Sequence, residues 1–379
     1  MPKQKWRTIN PSGRYRVVVT KELPGKRWLK ILTAADCRVE ISTLSDVMSV
    51  EAIKAAIGDH CDGVIGQLTE DWGADLFQAL NAAGAKVYSN YAVGFNNVDI
   101  LAATRHGIPV GNTPGVLTET TAEMAVALTF AAARRVGEAE RFLRAGQYSG
   151  WLPTLFLGEL ILGKTIGIVG AGRIGDAYAR MMVAGHRVNL LYFDIHPNQA
   201  LEDYVHAYAE FLQDQGLPPV ACNKVDSIEA LLQEADIVSI HTVLDKSTHH
   251  LINARRLALM KENAILINTS RGPVIDEAAL VKHCQQHPSF RAGLDVFENE
   301  PEMKTGLVDL DNVVIVPHIA SATSWTRQGM ATLAASNVAA ILQGYPTWQQ
   351  DDIRPFLTGN GPPAAPSILN AQELGMPSY

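Results

Sequence analysis

Hydrophobic positions along the chain gather into short apolar runs separated by segments with helical spacing. Tyr15 to Thr20 (YRVVVT), Val39 to Ser42, Gly63 to Gly66 and Lys86 to Ser89 read as strands. Between them, Glu51 to Ile57 and Ala74 to Ala83 read as helices. A second series begins at Lys164. Thr165 to Val169, Val188 to Phe193, Ile237 to His241, Ala264 to Asn268, Ala292 to Asp295 and Val313 to Val316 read as buried strands. Strands alternating with helices argue for parallel sheets built from βαβ units. The chain is therefore expected to be α/β, with a small first unit and a six-stranded second one. Thr118 to Ala145 carries one long Ala-rich helical pattern, with Met124, Leu128 and Ala131 at helical spacing. A final helix is expected near Trp325 to Leu342, and no repeat of fixed period is visible.

Composition narrows the class. At about 150 residues per domain, 379 residues make two or three domains. With 47% apolar and 19% charged residues the chain has ample material for a core. The longest apolar helical candidate, Met124 to Ala133, is well short of the roughly 18 residues of a membrane span. A net charge of −7 argues against a general nucleic-acid or anionic-membrane surface. Cys37, Cys61, Cys222 and Cys284 are scattered without a CxxC pair, so no zinc or other metal site is expected, nor a disulfide scaffold. A reducing, intracellular compartment is the simplest reading.

The first acidic residue is Glu22, preceded by Lys3, Lys5, Arg7, Arg14 and Arg16. Such a start belongs either to an organelle transit peptide or to a solvated leader before the first strand. Pro2, Pro11 and Trp6 fit an amphipathic targeting helix poorly. At the other end, Leu357 to Pro366 (LTGNGPPAAP) reads as an irregular arm over a surface.

The chemistry begins at Gly170-Ala171-Gly172-Arg173-Ile174-Gly175, a GxGxxG match. Thirty glycines give about 0.2 chance matches, so the bare pattern is weak. Gly359 to Ala364 fits the relaxed form too, but its two prolines forbid a helix there. Context supports the first match: the strand TIGIV precedes it and the helical RIGDAYARMMVAG follows. The first Gly permits the turn, the second lets backbone approach a pyrophosphate, and the third lets the helix pack closely. Asp194 ends the next strand, where a carboxylate accepts the ribose hydroxyls and repels a 2′-phosphate. NAD(H) is therefore expected over NADP(H).

Reduction at a nicotinamide needs a group to polarise a carbonyl and a proton donor for the alkoxide. Three strand ends offer candidates. Arg271 follows Asn268 and can grip a 2-oxo acid bidentately. His318 follows Val316 and is the natural acid near neutral pH. Glu300, on the other ring nitrogen, would favour the charged ring and hold its orientation. Glu298 competes for that role, and spacing alone does not separate the two. Asp295 either faces the nicotinamide amide or caps the next turn. His249-His250 reads as a solvated loop pair, and His283 with His287 as a helix surface.

These motifs resemble the D-isomer-specific 2-hydroxyacid dehydrogenase family and, within it, the plant and algal NADH-dependent hydroxypyruvate reductases. The resemblance spans nearly the whole chain. It is carried by CDGVIGQLTEDWG (61–73), NNVDI (96–100), VGNTPGVLTETTAEM (110–124), GAGRIG (170–175), INTSRGPVIDEAAL (267–280), AGLDVFENEP (292–301) and VPHIASAT (316–323). It implies Arg271 as the substrate arginine, His318 as acid/base and Glu300, not Glu298, as its partner. It implies Gly170, Gly172, Arg173, Ile174, Gly175, Asp194, Thr121, Thr269, Asp295, His318 and Ala320 around the cofactor. Leu68, Val93 and Gly94 would cradle the substrate carboxylate, and Trp151 would reach a partner's site.

The resemblance further implies two Rossmann-like or flavodoxin-like parallel-sheet domains with the active site in a cleft. Residues 1–118 with 325–379 would bind substrate, and 119–324 would bind NAD, with 119–150 forming a homodimer interface. The expected reaction is NADH-dependent reduction of hydroxypyruvate to D-glycerate, with glyoxylate to glycolate as a second, in a photorespiratory role. A glyoxylate-preferring or broad 2-oxoacid reductase is the same-class alternative. An NAD-sensing, corepressor-like binding protein is the different-class one. The expected partner is a small 2-oxo acid, with no nucleic acid and no membrane. Plant peroxisomal members end in Ser-Lys-Leu, whereas this chain ends Met376-Pro377-Ser378-Tyr379, which leaves mitochondrion and cytosol beside the peroxisome.

Overall fold

A computed structural model of the protein describes residues 6–359 and 361–379. Lys3 and Lys5 of the basic start, and Asn360 of the Gly/Pro-rich tail, lie outside the described residues. The chain divides into two compact units, Met1–Leu117 with Ala322–Tyr379, and Thr118–Ser321.

Among the described residues the first unit holds six strands: β1 (Trp6–Ile9), β2 (Tyr15–Val19), β3 (Cys37–Ser42), β4 (Gly63–Gly66), β5 (Val87–Asn90) and β6 (Val110–Gly111). They form one sheet in the order β1-β3-β2-β4-β5-β6. All neighbours are parallel except β1, which runs antiparallel to β3. Without β1 this is the flavodoxin-like 2-1-3-4-5 order. Residues 6–9 are thus an edge strand, a correction to the solvated leader. The segment WRTI carries no apolar run to announce it. One core layer is aromatic, with the Trp72 ring tilted by 37° against Tyr88 at 4.1 Å and Phe77 edge-on to Tyr88 at 5.7 Å.

The helix Ser324–Leu342 packs against β4, β5 and the helix Arg27–Ala34. Its start is capped by Thr323, whose Oγ1 accepts the Thr326 N–H. Buried Asn337 donates to the Asn112 carbonyl (3.0 Å) and accepts from the Ser367 amide (2.9 Å). A side chain at Gly111 would meet Asn337 at 2.7 Å, so close approach requires glycine there. The tail is likewise more than a surface arm. Ala364 and Ala365 are fully buried, Leu369 N–H donates to the Val110 carbonyl, and Asn370 accepts from Val110 N–H.

The second unit holds seven parallel strands: β7 (Thr165–Val169), β8 (Asn189–Phe193), β9 (Cys222–Lys224), β10 (Ile237–Ile240), β11 (Ile265–Asn268), β12 (Arg291–Leu294) and β13 (Val313–Ile315). Their order is β13-β12-β11-β10-β7-β8-β9. Alternation assigns the two faces. Ile166, Ile168, Leu190, Tyr192, Ile237, Ile265 and Ile267 feed one core, while Val169, Leu191, Val238, Ile240 and Leu266 feed the other. The order reverses between β7 and β10, which places a binding crevice beyond their carboxyl ends. Six of these strands match apolar runs in the sequence; β9 (CNK) is a short edge strand without one.

The long helical pattern at 118–145 is two helices, Thr118–Ala133 and Val136–Arg144. Arg135 adopts a left-handed conformation, φ 55°, and turns the chain. The Ala133 carbonyl, which a continuing helix would give to Gly137, accepts the Glu159 amide at 2.9 Å instead.

Candidate active site

Each glycine of the 170–175 loop has a distinct environment. Gly170 has φ +91°, and a Cβ on it would lie 2.9 Å from the Thr242 amide nitrogen on the neighbouring β10 crossover. A Cβ on Gly175 would lie 2.1 Å from the Gly170 carbonyl oxygen, so helix packs directly on turn. Gly172 meets nothing within 4 Å. It begins the helix Arg173–His186 and supplies no side-chain cap, so the first-turn N–H groups are offered to an anion. Arg173 is exposed, and half-buried Ile174 packs on the core. Asp194 accepts from Ala171 N–H (2.8 Å) and His196 N–H (3.1 Å), which ties the end of β8 to the glycine turn. Asn198 adds a bond to the Ala171 carbonyl (2.8 Å). An open glycine, an uncapped helix start and a carboxylate at the next strand end together fit a dinucleotide.

Thr121 is buried in the helix Thr118–Ala133. Thr269, directly after β11, is buried with no partner for its Oγ1, an acceptor–donor left for something else to satisfy.

The turn holding Arg271 is shaped by buried Asn268. Its Oδ1 accepts from Ser270 N–H (3.0 Å) and Oγ (2.8 Å), and its Nδ2 donates to the Arg271 carbonyl (2.9 Å). Arg271 Nη1 donates to the Ser270 carbonyl at 2.7 Å. A Cβ on Gly272 would sit 1.9 Å from the Phe297 carbonyl, so this turn lies backbone-on-backbone against the loop that carries Glu300.

His318 Nδ1 lies 2.8 Å from Glu300 Oε2. Glu300 Oε1 accepts the Phe297 N–H at 3.1 Å. His318 is held with φ +51°, its amide donating to the Asp295 carbonyl at 2.9 Å. Both Asp295 oxygens accept backbone amides of the same turn, Ile319 N–H at 2.6 Å and Ala320 N–H at 2.9 Å. These bonds tie Asp295, at the end of β12, to the turn that follows β13 and carries His318. With Nδ1 engaged by Glu300, Nε2 is the His318 nitrogen left to meet a substrate.

The electrostatics follow the geometry. Burial works to raise the Glu300 carboxyl. The hydrogen bond and charge of His318, the Phe297 amide and the Arg271 charge outweigh it, and the pKa falls below the usual 4.5. Burial raises Asp295, against its two amide bonds and His318. Burial lowers Arg271, and Glu300 opposes that.

Glu298, the rival carboxylate, faces elsewhere. Its Oε1 lies 3.1 Å from His250 Nε2. His250 is thus half-buried and paired, a correction to the solvated pair, with exposed His249 stacked on it at 4.1 Å. His283 packs edge-on to Phe290, and burial lowers its pKa to about 4, with His287 adding to the shift. It too is more than a helix surface. Among the described residues no group of three His, Cys, Asp or Glu is placed to hold a metal ion.

In the first unit, Leu68 follows β4 and Val93-Gly94 follow β5. Asn112 donates to the Val93 carbonyl (2.9 Å) and Asn90 to the Gly94 carbonyl (3.0 Å). Asn97 joins the two loops through the Gln67 and Glu70 carbonyls, at 3.1 and 3.0 Å. Trp151 stands 80% exposed between the helix Val136–Arg144 and β7.

Asn268, Glu277 and His241 join these surroundings without being among the residues read from the sequence as chemistry. His241 follows β10 at the strand-order reversal, with Nε2 2.8 Å from Ser239 Oγ and a shielded, unpartnered Nδ1. Burial lowers its pKa to about 3, so it is neutral. Its position after β10 was the only signal that could have marked it.

Residues 126–320 match the family model described as D-isomer specific 2-hydroxyacid dehydrogenase, NAD binding domain. The chain is 60% identical over 370 residues to glycerate dehydrogenase of Cucumis sativus, covering 97% of each chain. It is 59% identical over 372 residues to the peroxisomal glycerate dehydrogenase HPR of Arabidopsis thaliana, covering 97% of this chain and 96% of that one. Among solved structures, the TT0316 protein of Thermus thermophilus superposes with a TM-score of 0.78 at 36% identity, over 93% of this chain and 99% of that one.

Proposed function

The chain belongs to the D-isomer specific 2-hydroxyacid dehydrogenase family, an NAD-dependent oxidoreductase, and we propose that its reaction is the reduction of hydroxypyruvate to D-glycerate. The observation that carries the reading is the His318–Glu300 pair at 2.8 Å, on the next two strand ends after that of Arg271 and in the same sheet as the glycine loop. The named activity of the Cucumis sativus and Arabidopsis thaliana relatives supplies the substrate.

Gly172, the start of the helix Arg173–His186, Asp194 and Thr269 would hold the cofactor. Bound there, the reduced nicotinamide supplies the hydride. Arg271 takes the carboxylate and keto oxygen of the 2-oxo acid through its planar fork, and so polarises the carbonyl. His318 Nε2 delivers a proton to that oxygen as negative charge develops on it. Glu300 keeps the ring oriented through Nδ1 and compensates the imidazolium charge. Leu68, Val93 and Gly94 are assigned to the carboxylate cradle. Glyoxylate lacks only the hydroxymethyl group and is the expected slower substrate.

The test is NADH oxidation with hydroxypyruvate, glyoxylate, pyruvate and 3-phosphohydroxypyruvate side by side. Highest kcat/KM with hydroxypyruvate supports the reading. Preference for glyoxylate would select the same-class alternative, and no turnover with any of them would end the enzyme reading.

The protein is further assigned a homodimeric state. Large apolar side chains are exposed in one stretch: Val136, Leu143, Tyr148, Trp151, Leu152, Leu157, Leu160 and Leu162. Such a concentration supports a surface that another protein covers, and a second copy is the simplest partner. A monomeric mass by light scattering would exclude it. Among the described residues no helix is long and apolar enough to cross a membrane.

A further inference from the structure

The segment Ile275 to Leu280 holds a buried carboxylate that the reaction centre described above does not use. Glu277 is 3% exposed and opens the helix Glu277–Gln286. Its Oε2 accepts the Glu298 N–H at 2.6 Å and its Oε1 the Lys304 N–H at 2.7 Å. Those two amides bracket Glu300. Burying a carboxylate is costly unless its oxygens are satisfied, and here both are spent on one loop.

Glu298 returns the contact. Its Oε2 accepts the Glu277 N–H at 3.3 Å, and its Oε1 meets His250 Nε2 at 3.1 Å. The His250 amide donates at 2.8 Å to the Pro273 carbonyl, in the turn after Arg271. A continuous chain of bonds therefore runs from the Arg271 turn through His250, Glu298 and Glu277 to the loop carrying Glu300.

We propose that Glu277 is a positioning residue for the acid–base pair, fixing residues 297–304 so that Glu300 stays on His318 Nδ1. The proposal rests on His318 being the proton donor. The charged groups around that ring are Glu300 and Asp295, with Arg271 facing Glu300. When the 297–304 loop shifts, His318 loses its nearest negative charge and its orientation together.

The experiment is the pH profile of hydroxypyruvate reduction by the full-length Glu277→Gln enzyme. Gln is nearly isosteric but turns an NH₂ toward one of the two amides. The kcat is expected to fall between about ten- and a hundredfold, as misplacement near a reacting centre does. The alkaline limb is expected to move about one unit to lower pH, with NADH affinity close to that of the wild type. Leu280→Ala, buried in the same helix, provides a matched loss of stability and should leave the limb in place. Should Glu277→Gln not fold, His250→Gln breaks the same chain at a half-buried link and should move the limb the same way by less.

A limb at the wild-type pH in Glu277→Gln, or in His250→Gln where that variant decides, would overturn the proposal even if Tm or kcat fell. Absence of wild-type turnover would instead refute the functional reading beneath it.

Discussion

Two glycines of one loop should fail in opposite ways. Gly172 has φ −74° and ψ −164°, extended backbone open to any residue, and its Cβ would meet nothing within 4 Å. Gly172→Ala should therefore leave the unliganded fold intact, or stabilise it by the roughly 0.4–1 kcal/mol that a strain-free Gly→Ala change brings. The added methyl occupies the space where a pyrophosphate meets the helix start, so NADH should bind at least about tenfold more weakly, or about 1.4 kcal/mol. Gly175→Ala gains about 1 kcal/mol of helix propensity. Against that, its Cβ lands 2.1 Å from the Gly170 carbonyl, a backbone atom that cannot rotate away. Overpacking of this kind costs about 1–3 kcal/mol, and a backbone clash belongs at the upper end. The net is a loss of about 2 kcal/mol, or about 4–8 °C in Tm for a unit of this size. Thermal unfolding without ligand and NADH fluorescence titration separate the two. Wild-type NADH affinity in Gly172→Ala would show that no phosphate sits on that face. An unchanged Tm in Gly175→Ala would refute the packing argument.

Arg271→Lys should raise KM and lower kcat together, because a single ammonium cannot span carboxylate and keto oxygen; unchanged kinetics would remove Arg271 from the reaction. Asp194→Ala should narrow the preference for NADH over NADPH in paired kcat/KM measurements, since the charge repelling a 2′-phosphate is gone, and an unaltered ratio would refute the ribose role. The lowered Glu300 pKa carries a stability consequence. Its contribution is complete above the ordinary carboxyl value of 4.5 and fades as pH falls through the lower folded value. Glu300→Gln should therefore lower Tm at pH 7, with the deficit closing as melts are carried below pH 4.5 and through the lower folded value, whereas a constant deficit would mean the charge is not what stabilises.

Much of this architecture was legible because central parallel strands are buried on both faces and read as unbroken apolar runs, as ILIN and IVSI do. The edges were not. WRTI and CNK bury too little to leave a pattern, and pairing alone makes them strands. The turn at Arg135 was invisible because an arginine in left-handed backbone has no signature. Arg271, Glu300 and His318 stood out because function concentrates at strand ends. Spacing alone left Glu300 and Glu298 level, since both follow β12; the family resemblance chose Glu300, and in the structure it is Glu300 that meets His318 while Glu298 meets His250. Glu277 could not be found from pattern at all. Its partners are backbone amides 21 and 27 residues away, which any sequence would supply.

His318 is proposed to give the proton in the reduction of a 2-oxo acid, while the glycine loop holds the cofactor. Measuring kcat for hydroxypyruvate reduction and the NADH Kd on the same preparation of His318→Ala tests it directly. The expected result is a kcat lower by about 10²–10⁴-fold with NADH binding unchanged. A kcat near that of the wild type, or a fall explained by lost NADH binding, would contradict it.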